Sequence, residues 1–138
     1  YNLGDVSSTG NYAAGIVGKM TSSEIRDVFN HGKVSATDYV GGLVGKCGEN
    51  AKINTGYNKG SVTVTKNSAS LLAETLSTTE FSNLFYDNVL ALVSSSEAGG
   101  VSSVEMASAT MAATLNNGTK TIWTSSATEM GGYPYLLK

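Results

Sequence analysis

The sequence predicts a mainly β protein: a right-handed parallel β-helix, or solenoid, of about three 28-residue coils with a small C-terminal α+β cap. The hexapeptide at residues 1–6 returns at 29–34 and 57–62, and more faintly from Phe85. A period of this length is typical of stacked repeats, in which each unit buries its apolar face against the next. Charged residues are only 14% of the chain, against roughly 25% in typical soluble domains. We interpret this as the neutral, hydroxyl-covered surface of an extracellular β protein.

Each unit contains three short apolar segments, rich in Val, Ile and Leu and bounded by Gly, Asn and Ser, which predict strands and not helices. The segments are centred on Val6, Val34 and Val62 (first), on 14–18, 41–45 and 69–73 (second), and on Ile25, Ile53 and Phe81 (third). In a coil, each strand pairs in parallel with its copy one unit away. A meander of antiparallel hairpins is the alternative. The lack of Asn-Gly or Asp-Gly turns between the segments weighs against it.

Identical positions in successive coils are expected to stack into ladders that support the core and corners. The predicted columns are aromatic (Tyr1, Phe29, Tyr57, Phe85), amide (Asn2, Asn30, Asn58) and glycine (Gly4, Gly32, Gly60). Amide side chains in such a column bond to one another or to the backbone turn. The glycines supply either a positive φ or room for a close-packed corner.

The period fades after Leu84, and the sequence divides into repeats at 1–93 and a cap at 94–138. After a linker, Ser102 and Glu105 form a capping box that predicts a helix over 103–115. Residues 121–123 and 133–137 are predicted to be two short closing strands. A module that breaks the repeat is expected after the last coil, which otherwise exposes its strand edges and core.

Two of the apolar segments carry a resemblance to a known family. Residues 14–18 and 41–45 read Ala-Gly-Ile-Val-Gly and Gly-Gly-Leu-Val-Gly, and each leads to a Tyr/Phe-Asn-x-Gly-x-Val unit. The chain thus resembles GLUG repeats, which occur in tandem in large bacterial surface and secreted proteins. The resemblance covers about residues 1–65, and the segment at 69–73 lacks the flanking glycines. It implies a surface-exposed spacer or binding array and brings no catalytic residues to these positions.

The tail is also similar to a segment that often follows such arrays. It shares a short helix, a Leu-Asn pair, a tryptophan and a final Gly-Tyr-Pro-x-Leu run, found here at 104–115, Leu115-Asn116, Trp123 and 132–136. Two matches in the same order make the resemblance more specific than glycine-rich repeats alone.

The charge pattern excludes some partners. The net charge is −2 and the nine Lys and Arg residues are scattered, whereas nucleic-acid binding needs clustered basic side chains. No apolar stretch approaches the roughly 18–20 residues that span a bilayer, so we expect no membrane insertion by this piece. The chain opens in mid-repeat at Tyr1. We therefore interpret it as part of a larger protein, whose remainder is one of its partners.

No catalytic or metal site is predicted, and no cofactor. Cys47 and His31 are single residues of their type, and we expect a partly exposed turn cysteine and an exposed turn histidine. The acidic residues fall at different phases of the repeat. Only Glu24 and Glu80 are equivalent, with Lys52 between them, which indicates cross-strand charge pairing. We therefore predict that the chain is not an enzyme.

The candidate ligand contacts are two equivalent tyrosines, Tyr12 and Tyr39, and two equivalent lysines, Lys19 and Lys46. Exposed tyrosines one coil apart would offer flat faces to a glycan or a protein, and packing at a corner is the alternative. The predicted function is an extracellular spacer or adhesion scaffold of a bacterial surface protein, with an unknown host protein or glycan as ligand. The alternative is a carbohydrate-binding or carbohydrate-processing β-helix.

Overall fold

The computed structural model describes residues 1–66, 68–69, 71–91, 98–118 and 121–137. It is mainly β, with fourteen strands, two α-helices and one 3-10 turn within these residues. The strands are β1 (Val6–Ser7), β2 (Asn11–Ala14), β3 (Val17–Met20), β4 (Glu24–Asn30), β5 (Val34–Ala36), β6 (Asp38–Gly41), β7 (Val44–Cys47), β8 (Lys52–Asn58), β9 (Val62–Val64), β10 (Ser68–Ala69), β11 (Glu80–Asp87), β12 (Gly99–Val101), β13 (Trp123–Thr124) and β14 (Tyr135–Leu136). The helices are α1 (Ser103–Met106) and α2 (Ala109–Asn116), and the 3-10 turn is Met130–Gly132.

Four of the sheets are parallel, and they join strands from successive units of the sequence. Their strand orders are β1-β5-β9, β2-β6-β10, β3-β7 and β4-β8-β11-β12. Equivalent residues lie opposite each other: Val6 pairs with Val34, which pairs with Val62. The prediction of parallel strands is confirmed for these sheets. A fifth sheet joins β13 and β14 in antiparallel fashion.

The second apolar segment forms two strands in each of the first two units, where one was predicted. In the first unit the chain bends at Gly15 and Ile16, between β2 and β3. The bend remains hydrogen-bonded, because the amides of Gly15 and Ile16 donate to the carbonyls of Gly42 and Leu43 at 3.2 Å. A Cβ on Gly15 would lie 2.5 Å from the Gly42 oxygen. The close approach of two backbones at this bend therefore requires glycine.

Cys47 lies in the core, which corrects the prediction of a partly exposed turn residue. It ends β7, has no exposed surface and belongs to the largest buried apolar cluster. Other members of this cluster are Leu43, Val44, Ile53 and Leu71. Within β7, Val44, Gly45 and Cys47 are all buried, and Lys46 is half-buried.

The C-terminal residues cover one side of the stack. Phe29 and Tyr57, near the ends of β4 and β8, are fully buried. They share an apolar cluster with Met106, Met111, Ala112, Leu115, Trp123 and Tyr133. β12 pairs with the last strand, β11, and so covers the end of this sheet. The remaining C-terminal elements pack against the apolar side of the stack and extend toward its first unit. The predicted boundary between residues 93 and 94 lies outside the described residues.

Two helices replace the single one predicted over 103–115. The capping box of Ser102 and Glu105 is present at the start of α1. Ser108 separates the helices because its hydroxyl donates to the Glu105 carbonyl at 2.6 Å and accepts from the Met111 amide at 3.1 Å. It therefore closes the first helix and caps the second.

Candidate functional site

The predicted aromatic column contains a stack of rings. Tyr1 lies on Phe29 with ring centroids 5.0 Å apart, and Phe29 lies on Tyr57 at 5.5 Å, both with an interplanar angle of 6°. Phe85 is opposite Tyr57 in the strand register. Tyr1 is 66% exposed, whereas Phe29 and Tyr57 are buried. The two inner rings therefore serve packing and are closed to a ligand.

The three predicted ladder asparagines are joined by hydrogen bonds. Asn2 Nδ2 donates to Asn30 Oδ1, and Asn30 Nδ2 donates to Asn58 Oδ1, both at 2.8 Å. Each amide also donates to the carbonyl of the glycine two residues further on, at 2.6 to 2.8 Å. Asn30 and Asn58 are fully buried. Buried amides must be paired, and this ladder supplies the pairing.

The three ladder glycines provide room. None of them has a left-handed φ, so a positive φ is not the reason for glycine at these positions. A Cβ on Gly32 would lie 1.9 Å from the Gly4 oxygen, and a Cβ on Gly60 would lie 1.9 Å from the Gly32 oxygen. A Cβ on Gly4 would meet its nearest neighbour at 3.9 Å. Only Gly32 and Gly60 are therefore sterically required.

The structure brings the four predicted ligand-contact residues together. The rings of Tyr12 and Tyr39 stack with centroids 5.1 Å apart and an interplanar angle of 22°. Lys19 Nζ lies 5.8 Å from the Tyr12 centroid, and Lys46 Nζ lies 5.5 and 5.8 Å from the two centroids. Both tyrosines are half-buried and have φ of 61° and 50°. Because each ring covers one face of the other, only outer faces and edges remain for a ligand.

Lys46 also contacts a residue that the sequence reasoning missed. Its Nζ donates to Glu74 Oε1 at 2.9 Å, and this hydrogen bond raises the pKa of Lys46 despite the opposing effect of burial. Glu74 Oε2 is buried without a hydrogen-bond partner among the described residues. Asn67, which the repeat places at the tyrosine position of the third unit, lies outside the described residues.

His31 is half-buried, which corrects the prediction of an exposed turn histidine, because the C-terminal segment packs over it. Its Nε2 lies 2.6 Å from the Tyr57 hydroxyl, which donates to the Pro134 carbonyl at 2.5 Å. Since a hydroxyl has a single proton, His31 Nε2 is the donor to Tyr57. Burial, and then the charge of Lys59, lowers the pKa of His31 to about 4. The ring is therefore neutral at pH 7.

Asp87 is a buried carboxylate at the end of β11 with four donors. Tyr133 donates to its Oδ2 at 2.7 Å, and Ser103 donates to Oδ1 at 2.8 Å. The amides of Val89 and Leu90 also donate to Oδ1. Burial alone would raise the pKa of Asp87, but these hydrogen bonds outweigh it and lower the pKa. The full set of partners indicates a structural role that ties β11 to the C-terminal residues.

The equivalent charged residues lie in one row across the sheet. Lys52 Nζ is 2.8 Å from Glu80 Oε2, whereas Glu24 accepts from Asn54 at 2.9 Å and Arg26 at 2.7 Å. These two hydrogen bonds lower the pKa of Glu24. Exposed pairs of this kind contribute little to stability. In the part of the chain that the structure describes, no group of three His, Cys, Asp or Glu residues could hold a metal ion.

A small cavity of about 110 Å³ lies between β4, β8 and the end of α2. Its lining residues are Arg26, Asp27, Asn54, Thr55, Leu115, Asn116, Asn117 and Ile122. We call it the bend pocket, because equivalent residues of three strands have left-handed φ here: 54° at Asp27, 61° at Thr55 and 53° at Asn83. In the sequence, this feature is indicated by a polar residue (Asp27, Thr55 or Asn83) at the same position of each repeat. Asp and Asn tolerate this conformation better than most residues.

A wider groove of about 550 Å³ lies beside the outermost ring of the aromatic stack. It is lined by Tyr1, Phe29, Glu129, Met130, Tyr135, Leu136 and Leu137. Residues from the first and last parts of the sequence therefore meet at one place on the molecule.

No family model matches the chain, and no curated protein and no solved structure match it either. Among the described residues, no helix combines the length and the apolar character needed to cross a bilayer.

Proposed function

We propose that this chain is a right-handed β-solenoid of the GLUG-repeat kind that serves as an extracellular, non-catalytic adhesion scaffold of a bacterial surface protein. The observation that best supports the proposal is the contact between like residues. Asn2, Asn30 and Asn58 form one hydrogen-bonded ladder, and the rings of Tyr1, Phe29 and Tyr57 form one stack. Residues that recur in the sequence thus support the shape of the molecule.

Adhesion is favoured over a simple spacer role by the cluster of Tyr12, Tyr39, Lys19 and Lys46. The two stacked rings and the amino groups beside them offer ring faces and charges to a partner. A spacer needs no such side chains.

Carbohydrate binding is the second candidate, and the bend pocket favours it over carbohydrate processing. Asp27 is the single carboxylate among the residues that line the pocket. Glycoside hydrolysis generally uses two carboxyl groups on either side of the scissile bond. The pocket therefore suits recognition of a sugar better than its cleavage.

The test is adherence of a bacterial strain that does not adhere by itself and that displays this module on its surface. Strains displaying the natural chain are compared with strains displaying a Gly/Ser linker of equal length on mucin and on epithelial cells. We expect saturable adherence that purified module inhibits. A Tyr12→Ala/Tyr39→Ala variant tests the predicted contact residues, and Phe29→Ala is an unfolded control.

Two outcomes would contradict the proposal. One is adherence equal to that of the linker strain. The other is depolymerisation of the mucin glycans by purified module, detected as new reducing ends, because that result would identify an enzyme.

A further inference from the structure

We propose that the bend pocket binds one neutral sugar unit at the end of a glycan, which gives the adhesion scaffold its ligand class and rests on that proposed role. The pocket is built by residues from distant parts of the sequence. Arg26, Asp27, Asn54 and Thr55 come from two neighbouring strands, and Leu115 to Asn117 and Ile122 come from the C-terminal residues. The pocket therefore exists only when the C-terminal residues are packed on the stack.

The size of the pocket limits a ligand to a single ring. A water takes about 30 Å³ of the liquid, so the 110 Å³ of the pocket corresponds to about four waters. Sites for drug-sized molecules are larger, at roughly 300–1,000 Å³. An oligosaccharide would thus have to leave most of its units outside.

The polar groups of the pocket are held in place before any ligand arrives. Asp27 Oδ1 accepts from Trp123 Nε1 at 3.2 Å, which leaves Oδ2 without a partner among the described residues. Asn54 is fixed from both ends, since its Nδ2 donates to Glu24 and its Oδ1 accepts from Ser82. Such preorganisation lowers the entropy cost of binding.

The remaining side chains select for a sugar over other small molecules. Ile122, which is half-buried, gives the pocket an apolar part against which the C–H face of a sugar ring can lie, while the sugar hydroxyls donate to Asp27. The carboxylates of Glu24, 2.7 Å from the Arg26 guanidinium, and of Asp27 in the lining offset the charge of Arg26, so the pocket carries no net positive charge to hold an anion. A single carboxylate beside a guanidinium is also a poor site for a metal ion. A neutral polyhydroxyl ring satisfies both the polar and the apolar parts.

The experiment is ligand-observed NMR of the purified chain with free glucose, galactose, mannose, fucose, N-acetylglucosamine and N-acetylgalactosamine, followed by titration of each sugar that binds. We expect at least one to bind with a millimolar Kd. Asp27→Asn, which retains an oxygen for Trp123 and tolerates the left-handed φ, should weaken binding at least fivefold. Arg26→Ala should weaken it by removing a lining side chain whose N–H groups can donate to a sugar hydroxyl. Asp5→Asn, a matched acid-to-amide change outside the pocket, should leave binding unchanged.

Two results would overturn the proposal. One is that none of the six sugars binds at 50 mM, which is about 50 times a 1 mM Kd. The other is that binding is unaffected in both Asp27→Asn and Arg26→Ala, while the amide spectra of both variants match that of the natural chain. The adhesion proposal is tested separately. If the displayed module adheres and no sugar binds, the pocket assignment fails alone. If sugar binds at the pocket and the displayed module does not adhere, the adhesion role fails alone.

Discussion

The Tyr57 hydroxyl donates a hydrogen bond of 2.5 Å to the carbonyl oxygen of Pro134, 77 residues further along the chain. Tyr57 belongs to the aromatic stack, and Pro134 to the C-terminal residues that cover it. The same hydroxyl accepts from His31 Nε2. One buried oxygen thus joins two neighbouring units to the C-terminal segment.

Replacing Tyr57 by Phe tests the importance of this junction. The ring stack is preserved, but the Pro134 carbonyl and the His31 N–H lose their partner, at an expected cost of about 1–3 kcal/mol in the free energy of unfolding. Urea denaturation monitored by Trp123 fluorescence measures it. The control is Tyr39→Phe, a stacked but half-buried tyrosine, with an expected change within about 0.5 kcal/mol. Equal effects of both substitutions would contradict the assignment.

Stability should rise with pH between 5 and 6.5, and His31 should be the cause. Burial lowers its pKa from 6.5 to about 4 in the folded protein, so in this window the unfolded chain holds the proton and the folded chain does not. The contribution of His31 is therefore fully present above pH 6.5 and lost as pH falls toward 4. With allowance for solvent around the partly exposed ring, we expect about 1–2 kcal/mol. Because His31 is the sole histidine, His31→Gln should flatten the profile of untagged protein. An unchanged slope in the variant would refute the prediction.

The asparagine ladder predicts a graded response. Asn30→Ala removes the partner of an Asn2 N–H and of the buried Gly32 carbonyl, and one of the two donors to Asn58 Oδ1. It should cost about 2–4 kcal/mol. Asn2→Ala removes one end of the ladder at a half-buried position and should cost about 1 kcal/mol. Chemical denaturation of both variants gives the comparison. A larger effect at Asn2 than at Asn30 would argue against the ladder.

The glycine column offers a matched pair of substitutions. Gly32→Ala places a Cβ 1.9 Å from the Gly4 oxygen and should destabilise the fold by about 3 kcal/mol. Gly4→Ala meets nothing closer than 3.9 Å and should change stability by less than about 0.5 kcal/mol. Thermal unfolding of the two variants separates steric exclusion from a general cost of losing glycine. Similar unfolding midpoints in the two variants would indicate a general cost of losing glycine and not steric exclusion.

Contacts between neighbouring units could be predicted from the sequence, because they repeat with it. Val6 pairs with Val34, and Val34 with Val62, at the same 28-residue spacing at which the sequence repeats. The bend at Gly15 was missed because an apolar run of five residues gives no sign of where it turns. The break at Ser108 was missed because helix periodicity continues across a capping residue.

The contacts made by the C-terminal residues have no periodic signature. Trp123 reaches Asp27 across 96 residues, and nothing in the spacing of the sequence indicates this pair. The half-burial of His31 and the existence of the bend pocket both follow from that packing. These features therefore required the three-dimensional structure.

The bond between Trp123 and Asp27 also bears on how the molecule comes apart. In proteins made of stacked units, each unit touches only its neighbours, and a terminal unit can fray while the others stay folded. Here β4 cannot detach without uncovering Trp123 and the helices packed beside it. We expect the first unit to open only in the global transition, so its slowest-exchanging amides should report the same opening free energy as those of β8.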